Sequence, residues 1–430
     1  MYKYFDIAII GAGAAGLAAA ISSSRVLKKN NGKHSVVIVE KSKMLGKKIL
    51  VTGNGKCNIS NTCITPDFYY GNNPEIINEI IKKVTVKDIN KFFNSLGLEI
   101  KYDRENRAYP MSGQACSVRD AMLYEIEYLN VSKYCEFDIK YIKKINNDLF
   151  EIGSDSEIIR CKKIIVCTGG KSAPYAGYNG DGYKYLSDFG HSITKTFPAL
   201  VPIKSNDLSL KRLKGVRWTC RVNLLADNTV IKSELGEVQF NENNLSGICI
   251  FQISRLASEY IATSKIGNKK YNSVKISLDL FPDYSFKELE NMLLERAKKL
   301  SHISAENFMM GIINNKLGAE LLKKSNILKT KKTAGKIKSS EIRSLAEICK
   351  RFEFKVDGVM DWRNSQVTAG GAVLKEFDKD SLESKKVKGL YCAGEILDVD
   401  GVCGGYNLHW AWVSGCIAGV GAANSVINRA

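Results

Sequence analysis

Metal-ligating residues are scarce in this chain of 430 residues. It has only four histidines, and none of its 12 cysteines forms a C-x-x-C pair, so a zinc cluster is not expected. Scattered cysteines in so long a chain are typical of reduced, mostly buried thiols in the cytoplasm. With 44% hydrophobic and 25% charged residues, the sequence predicts a soluble globular protein of two or three domains.

The chain has fewer acidic than basic residues. It contains 45 aspartates and glutamates and 63 lysines and arginines, which gives a net charge of +18. A basic chain can neutralise phosphates, so RNA binding is one hypothesis. The lysines are spread along the whole sequence, however, and the densest run, "KTKKTAGKIK" at 329–338, is typical of a solvated loop. Nucleic-acid binding is therefore not the favoured interpretation.

Charged residues are absent from the stretch 406–427, which is long enough to span a bilayer. Gly415 and Gly419 within it form a G-x-x-x-G pattern. Two asparagines, two serines and many small residues make the stretch only weakly hydrophobic. We therefore predict a buried helix packed closely on backbone, with no membrane insertion. The N-terminal run "FDIAIIGAGAAGLAAAI" is not expected to be a signal peptide, because Asp6 stands where the apolar region of such a peptide should begin.

A glycine motif follows the first predicted strand, "FDIAII" at 5–10. Gly11, Gly13 and Gly16 form G-x-G-x-x-G ahead of an alanine-rich helix. These glycines allow a tight turn, approach of backbone to a pyrophosphate, and contact between helix and strand. A second strand, "SVVIVE", ends on Glu40, where a carboxylate would accept hydrogen bonds from an adenosine ribose. Together these features predict a dinucleotide site.

A polar loop, "KSKMLGKKILVTGNGKCNISN" at 41–61, follows the second strand. A nicotinamide dehydrogenase usually continues here with another crossover helix. The loop is instead expected to lie against the ribityl and ring end of a bound FAD, where Lys47, Lys48 and Lys56 could balance phosphate charge. The alternative is a solvated lysine loop.

Two later strands also end in glycines and acids. "KKIIVCTGG" (162–170) ends in Thr-Gly-Gly, and a Gly-Asp-Gly turn at 180–182 then begins a predicted helix. A predicted strand at 389–393 is followed directly by Gly394 and Glu395. If Glu395 lies at the same sheet edge as Glu40, it can accept hydrogen bonds from ribityl hydroxyls. The helix that follows, in "GGYNLHWAWVSG", would then direct its amino end at the flavin ring and favour negative charge on it. The alternative is an ordinary strand and core helix.

The candidate cofactor-binding residues form one set spread over both ends of the chain. They are Gly11, Gly13, Ala14, Ala15, Gly16, Glu40, Lys41, Gly46, Lys47, Thr52, Gly53, Asn54, Gly55, Thr168, Gly169, Gly170, Asp181, Gly394, Glu395, Gly405, Tyr406, Asn407 and Leu408. No catalytic acid or base is identified. Lys56, Cys57, Cys403 and His409 are weak candidates, and a buried structural role is equally expected for each.

At these residues the sequence resembles the BaiN-like family of bacterial FAD-dependent oxidoreductases, also called aminoacetone-oxidase-family FAD-binding enzymes. The matching stretches cover nearly the whole chain. They are "GAGAAGLAAA", "LGKKILVTGNGKCNISN", "AYPMSGQACSV", "CTGGKSAP", "GDGY", "ALVPI", "LDLFPD", "QVTAGGA" and "GLYCAGEILDVDGVCGGYNLHWAWVSG".

The resemblance implies an α/β fold, with a Rossmann-like FAD-binding domain of the two-dinucleotide-binding type that is interrupted by an insert. The FAD-binding domain is expected at 1–196 and 362–430. The insert, at 197–361, is expected to be a mixed β-barrel followed by helices, and to form one wall of the substrate cleft.

The sequence is also reminiscent of the fumarate-reductase group of flavoproteins, in which the acids matching Asp181 and Glu395 lie on FAD. It departs from the BaiN-like pattern at three places. "SLESK" (381–385) replaces Thr-Met-Glu-Ser-Lys, His409 replaces a glutamine, and "FNENNLSGICIFQISR" (240–255) lacks the commoner Thr-His and Gly-Pro. These departures leave FAD binding intact but do not allow a substrate to be carried over.

The resulting hypothesis is an oxidoreductase with non-covalent FAD that acts on a small organic substrate. The resemblance suggests reduction of a carbon–carbon double bond with NADH or NADPH, or amine oxidation with oxygen. An RNA-binding flavoprotein and a nucleotide-binding module without redox function are the alternatives. Because only one G-x-G-x-x-G is present, no dedicated nicotinamide domain is expected. The oligomeric state is not predicted.

Overall fold

A computed structural model describes residues 2–30, 34–146, 148–173 and 180–428. The chain divides into two units, residues 1–197 with 366–430, and residues 198–365. The helices of the described residues are α1 (Ala14–Lys29), α2 (Pro74–Lys83), α3 (Val86–Asn94), α4 (Ala115–Tyr128), α5 (Asp181–Asp188), α6 (Ser209–Leu213), α7 (Ile248–Thr263), α8 (Phe286–Lys299), α9 (Asn315–Lys324), α10 (Ser339–Lys350) and α11 (Tyr406–Ile427).

The strands are short outside the two central sheets. They are β1 (Tyr2–Ile10), β2 (Val36–Val39), β3 (Ser60–Asn61), β4 (Tyr69–Tyr70), β5 (Ile100–Tyr102), β6 (Arg107–Pro110), β7 (Ser132–Tyr134), β8 (Tyr141–Asn146), β9 (Leu149–Gly153), β10 (Ile158–Val166), β11 (Phe197–Ala199), β12 (Ile203–Lys204), β13 (Arg217–Ala226), β14 (Thr229–Phe240), β15 (Asn244–Ser246), β16 (Lys265–Ile266), β17 (Lys269–Lys270), β18 (Val274–Asp279), β19 (Phe352–Lys355), β20 (Gly358–Val359), β21 (Val367–Ala369), β22 (Leu390–Cys392) and β23 (Asp400–Gly401).

The first unit is built on a sheet with the strand order β7-β2-β1-β10-β9-β8, in which β22 also pairs with β10. Strands β7, β2, β1, β10 and β22 are parallel. Ile10 lies opposite Val39 and Val166, and Val166 lies opposite Cys392. The chain therefore leaves all these strands at one edge of the sheet. Glu40 and Glu395, which follow β2 and β22, therefore lie at the same edge, as the hypothesis of a shared site required.

Helix α11 packs directly on α1, because glycines remove the side chains that would separate them. A Cβ added to Gly415 would lie 2.4 Å from the carbonyl oxygen of Ala15, and one added to Gly419 would lie 2.4 Å from that of Ala19. In the described residues α11 is the one helix long and apolar enough to cross a membrane. Of its most apolar 18-residue segment, 61% is buried inside the protein. Close packing on α1 accounts for its glycines and small residues.

The second unit has an open antiparallel sheet, with the order β19-β18-β13-β14-β15-β12-β20. The predicted β-barrel is not found, since no pairing of β19 with β20 closes the sheet in the described residues. Helices cover the apolar face of the sheet instead. Val222 and Phe240 of the sheet belong to the same buried cluster as Ile253, Leu293 and Leu321 of the helices. Because helices bury this face, the sheet does not need to close on itself.

Replacement of Gly415 by valine is expected to lower the free energy of unfolding of the first unit by about 2–3 kcal/mol, because α1 and α11 must move apart to admit the side chain. Urea denaturation measures the change. The control is Val420→Leu on the same helix, at a position 38% exposed, which is expected to change stability little. Equal urea midpoints for the two variants would contradict the packing described above.

Candidate functional site

Two cavities lie at the carboxyl edge of the parallel sheet in the first unit, with empty volumes of about 900 and 450 Å³. The larger is lined by Gly11, Gly13, Ala14, Ala15, Lys48, Ile49, Thr52, Cys167, Thr168, Gly169, Gly170, Gln366, Val367, Gly394, Glu395, Val399, Asn407, Leu408, Trp410 and Ala411. The smaller is lined by Ile10, Gly11, Val39, Glu40, Lys41, Phe137, Ile139, Thr168, Gly180, Asp181, Gly182 and Tyr185. Gly11 and Thr168 line both, so the cavities adjoin.

The glycine turn between β1 and α1 forms part of the wall of both cavities. Gly11 has a left-handed φ of 95°, and a Cβ there would lie 2.7 Å from the carbonyl oxygen of Cys167. A Cβ on Gly16 would lie 1.9 Å from the carbonyl oxygen of Gly11. Gly13 is the N-cap residue of α1, and it has no side chain to accept a hydrogen bond from the first turn. The space that a side chain of residue 13 would occupy is open. The start of α1 can therefore be approached by an anionic ligand.

The smaller cavity has two carboxylates in its wall. Glu40 is buried and accepts hydrogen bonds from the backbone N–H groups of Ala12 and Ser42, both at 2.7 Å. Asp181 begins α5 and lies 3.0 Å from the Lys41 ammonium. The structure thus brings Glu40, Lys41 and Asp181, which were predicted from separate motifs, to one cavity. Carboxylates in this position suit a ligand with hydroxyl groups.

The larger cavity has a hydrogen-bonded carboxylate, Glu395, in its wall. Its Oε1 accepts from the Ser172 hydroxyl at 2.7 Å and from the Thr368 backbone N–H at 2.7 Å, and its Oε2 accepts from the Lys48 ammonium at 2.8 Å. Burial raises the pKa of the Glu395 carboxyl, but the Lys48 charge and these donors outweigh it, so the net shift is downward. Glu395 is therefore ionised at neutral pH.

Thr168, on the wall shared by the cavities, has a buried Oγ1 with no hydrogen-bond partner in the described part of the chain. A Cβ on Gly182 would lie 1.9 Å from this oxygen, so the Gly-Asp-Gly turn must approach it closely. Buried hydroxyls are nearly always hydrogen-bonded, so a partner is expected from a ligand. A dinucleotide such as FAD, with polar groups in its middle, fits two adjoining cavities with this oxygen between them.

Helix α11 begins at Tyr406, within the stretch "GGYNLHWAWVSG" where a helix was predicted, and Gly405 is its cap. The Asn407 side chain accepts a hydrogen bond from the Gly401 N–H at 2.8 Å and donates to the Gly401 carbonyl at 2.7 Å. The Trp410 indole donates to the Gly394 carbonyl at 3.1 Å. The first turn of α11 is thereby fixed to the segment after β22 and forms one wall of the larger cavity.

Several predicted site residues line neither cavity. They are Gly16, Gly46, Lys47, Gly53, Asn54, Gly55, Gly405 and Tyr406. Gly405 allows close packing instead, since a Cβ there would lie 2.4 Å from the Ser60 carbonyl oxygen. Gly53, Asn54 and Gly55 form an exposed turn of left-handed residues. Pro174, the last residue of the stretch "CTGGKSAP", lies outside the described residues.

None of the four weak catalytic candidates lines either cavity. Lys56 is exposed and Cys403 is half-buried. Burial raises the pKa of the Cys57 thiol to about 12, so it is neutral at pH 7. Burial lowers the pKa of His409 to about 4. In the described residues no group of three His, Cys, Asp or Glu side chains could hold a metal ion.

The candidate set missed several lining residues of the larger cavity, namely Lys48, Ile49, Cys167, Gln366, Val367, Val399, Trp410 and Ala411. Helical spacing from Asn407 could have identified Trp410 and Ala411, which lie three and four residues further along α11. Gln366 and Val367 stand in the "QVTAGGA" stretch, whose glycines were a signal. Lys48 was named with Lys47 and Lys56 as a residue that could balance phosphate charge, but nothing in the sequence favoured it over Lys47 for the candidate set.

Comparison with known proteins matches residues 5–421 to the family described as HI0933-like protein Rossmann domain. The 3-dehydro-bile acid delta(4,6)-reductase of Clostridium scindens is 34% identical, over 97% of this chain and 98% of that protein. A ribosomal RNA dihydrouridine synthase of Haemophilus influenzae is 27% identical, over 96% of this chain and 97% of that protein. The open conformation of a flavocytochrome c3 fumarate reductase has a TM-score of 0.51 at 12% identity, over 99% of this chain and 79% of that one, which shows a likeness in fold alone.

The buried His409 predicts a pH dependence of stability. Its Nδ1 lies 2.9 Å from the Ser60 hydroxyl, and its Nε2 has no partner in the described residues. Since its pKa falls to about 4 from an unfolded value of 6.5, the unfolded chain binds the proton more readily between these values. The stability contributed by neutral His409 is thus complete above pH 6.5 and is lost as the pH falls towards 4. About 2.5 kcal/mol is lost by pH 4.5.

The variant His409→Gln introduces the residue expected in the BaiN-like pattern. Between pH 7.5 and 4.5 its free energy of unfolding should fall by about 2.5 kcal/mol less than that of the unsubstituted protein. Urea denaturation at the two pH values measures this difference. The exposed His302, replaced by glutamine, is the control and should leave the pH dependence unchanged. Parallel pH profiles for His409→Gln and the unsubstituted protein would contradict the assignment.

Proposed function

The chain belongs to the HI0933-like Rossmann-domain family and is an FAD-dependent oxidoreductase, and on this premise we propose that it reduces a carbon–carbon double bond in a small organic substrate. Two relatives support the reaction. The names of the bile acid reductase and the dihydrouridine synthase both describe saturation of a carbon–carbon double bond, in an unsaturated 3-keto steroid acid and in uridine. We propose a small substrate, because the bile acid reductase has the higher identity of the two relatives. RNA is the alternative substrate.

The observation that carries the proposal is the pair of adjoining cavities at the carboxyl edge of the parallel sheet. Open α/β sheets bind their ligands at this edge. In the proposed arrangement the adenosine hydroxyls face Glu40 and Asp181, the diphosphate meets the start of α1, and ribityl hydroxyls face Glu395. Leu408 and Trp410 also line the larger cavity, and their apolar side chains would keep water from the ring end of a bound FAD.

Bound FAD would supply two-electron chemistry, and the protein's own groups bind it, orient it and set the charge around it. The proposed overall reaction is balanced by NADH or NADPH as the donor: two electrons and one proton come from the nicotinamide, and a second proton comes from solvent. Both protons and both electrons end on the two carbons of the double bond. The positive end of α11 would favour negative charge on the ring of a bound FAD by about 0.3–1 kcal/mol.

The proposal includes non-covalent FAD, a cytoplasmic location and no membrane insertion. All 12 cysteines are free thiols in the described residues, which is typical of a reducing compartment. The apolar helix α11 is mostly buried against the protein itself, which supports a role in the fold instead of in a bilayer.

Under anaerobic conditions NADH or NADPH is expected to bleach the visible absorbance of the bound FAD, and an unsaturated ketone added afterwards is expected to restore it. Cyclohexenone and a steroid with an unsaturated ketone are suitable acceptors, because a carbonyl activates the double bond next to it. The matching saturated ketones are the controls and should not restore the colour.

Other results would distinguish the alternatives. If neither nicotinamide bleaches the FAD, but a small amine does and oxygen restores the colour, the protein is an amine oxidase and the proposal is wrong. If RNA restores the colour and small unsaturated ketones do not, the double-bond chemistry stands and the substrate class is wrong. A protein that does not take up FAD at all would overturn the cofactor assignment.

A further inference from the structure

Lys48 and Glu395 are the two charged side chains that line the larger cavity within the described part of the chain. They come from opposite ends of the sequence and form an ion pair, with Lys48 Nζ 2.8 Å from Glu395 Oε2. Only 24% of the Lys48 side chain and 20% of the Glu395 side chain are exposed. Solvent therefore screens this pair less than it screens surface ion pairs.

The hydrogen bonds of the pair leave one N–H donor of Lys48 and about one acceptor position of Glu395 for a ligand. The Lys48 ammonium has three N–H donors, and the structure uses two of them, on Glu395 and on the Ser172 hydroxyl at 2.8 Å. The Glu395 carboxylate has about four acceptor positions, of which Lys48, Ser172 and Thr368 take three. One donor and about one acceptor remain, and both belong to side chains in the wall of the cavity.

The pair has no net charge when both partners are present, and removal of one partner leaves the charge of the other. Removal of Lys48 alone leaves a negative charge in the cavity wall, and removal of Glu395 alone leaves a positive charge. A two-electron reduction adds negative charge to a bound FAD, so its reduced form responds to these two changes in opposite ways. The ion pair is thus placed to set how strongly the protein prefers one redox form over the other.

We infer that the Lys48–Glu395 pair balances charge beside bound FAD and sets its reduction potential, with each partner alone shifting the potential in the opposite direction. The inference rests on the proposed function, because it requires FAD in this cavity. It assigns Lys48 a role that the glycine and strand motifs do not give it, and it treats Glu395 as half of a pair instead of as an isolated hydroxyl acceptor.

The test is the midpoint potential of bound FAD in the holoenzyme, measured by spectroelectrochemical titration at saturating FAD. Lys48→Met should weaken binding of reduced FAD relative to oxidised FAD by about tenfold, which is about 30 mV downward for a two-electron couple. Glu395→Gln should shift the potential upward by a similar amount. The double variant K48M/E395Q, which is again neutral, should return most of the way to the unsubstituted value.

Lys43→Met is the matched control, because Lys43 is exposed, lies in the same loop and lines neither cavity. It removes the same charge and should leave the potential unchanged. If Lys48→Met holds FAD too weakly for the titration, dissociation constants of oxidised FAD provide the second measurement. Lys48→Arg should then bind FAD within a few fold of the unsubstituted protein, while Lys48→Met binds it at least tenfold more weakly.

Shifts of the same sign in Lys48→Met and Glu395→Gln, or shifts no larger than that of Lys43→Met, would overturn the inference. So would equal FAD affinities of Lys48→Arg and Lys48→Met in the second measurement. These results leave the proposed function intact, since FAD is bound in each case. Failure of the unsubstituted protein to bind FAD is the separate result that would overturn the proposed function as well.

Discussion

The site depends on one carboxylate, that of Glu395, because it holds together segments that are far apart in the sequence. Lys48, Ser172 and Thr368 each donate to it, and they belong to the loop after β2, the loop after β10 and strand β21. Loss of one partner of a buried ion pair typically costs 3–5 kcal/mol, because the other charge stays buried. The wall of the larger cavity is therefore assembled from segments at both ends of the sequence.

Close backbone contact is the second constraint, and it explains the composition of the C-terminal helix. Gly415 and Gly419 allow α11 to touch α1, whose own first turn needs Gly16 to approach Gly11. The same helix pair thus carries both glycine-dependent contacts, and the start of each helix lines the larger cavity. A stretch without charges that is long enough for a bilayer is, in this fold, the packing partner of α1.

The parts of the site that depend on local sequence could be predicted, and those that depend on distant contacts could not. A strand that ends in glycines or an acid predicts the sheet edge, which located Glu40 and Glu395 correctly. Nothing in the spacing relates Lys48 to a residue 347 positions away, so the ion pair was not predicted. Alternating strands do not tell an open sheet from a closed one, and the expected barrel of the insert was wrong for that reason.

A crystal structure of the protein with FAD tests the central claim most directly. The account predicts one FAD that runs through both cavities, with its adenosine beside Glu40 and Asp181 and its ribityl chain within hydrogen-bond distance of Glu395. It also predicts a hydrogen bond from FAD to the Thr168 hydroxyl, which has no protein partner in the described residues. An FAD bound elsewhere, or one that leaves both Glu395 and Thr168 without a contact, would contradict the account.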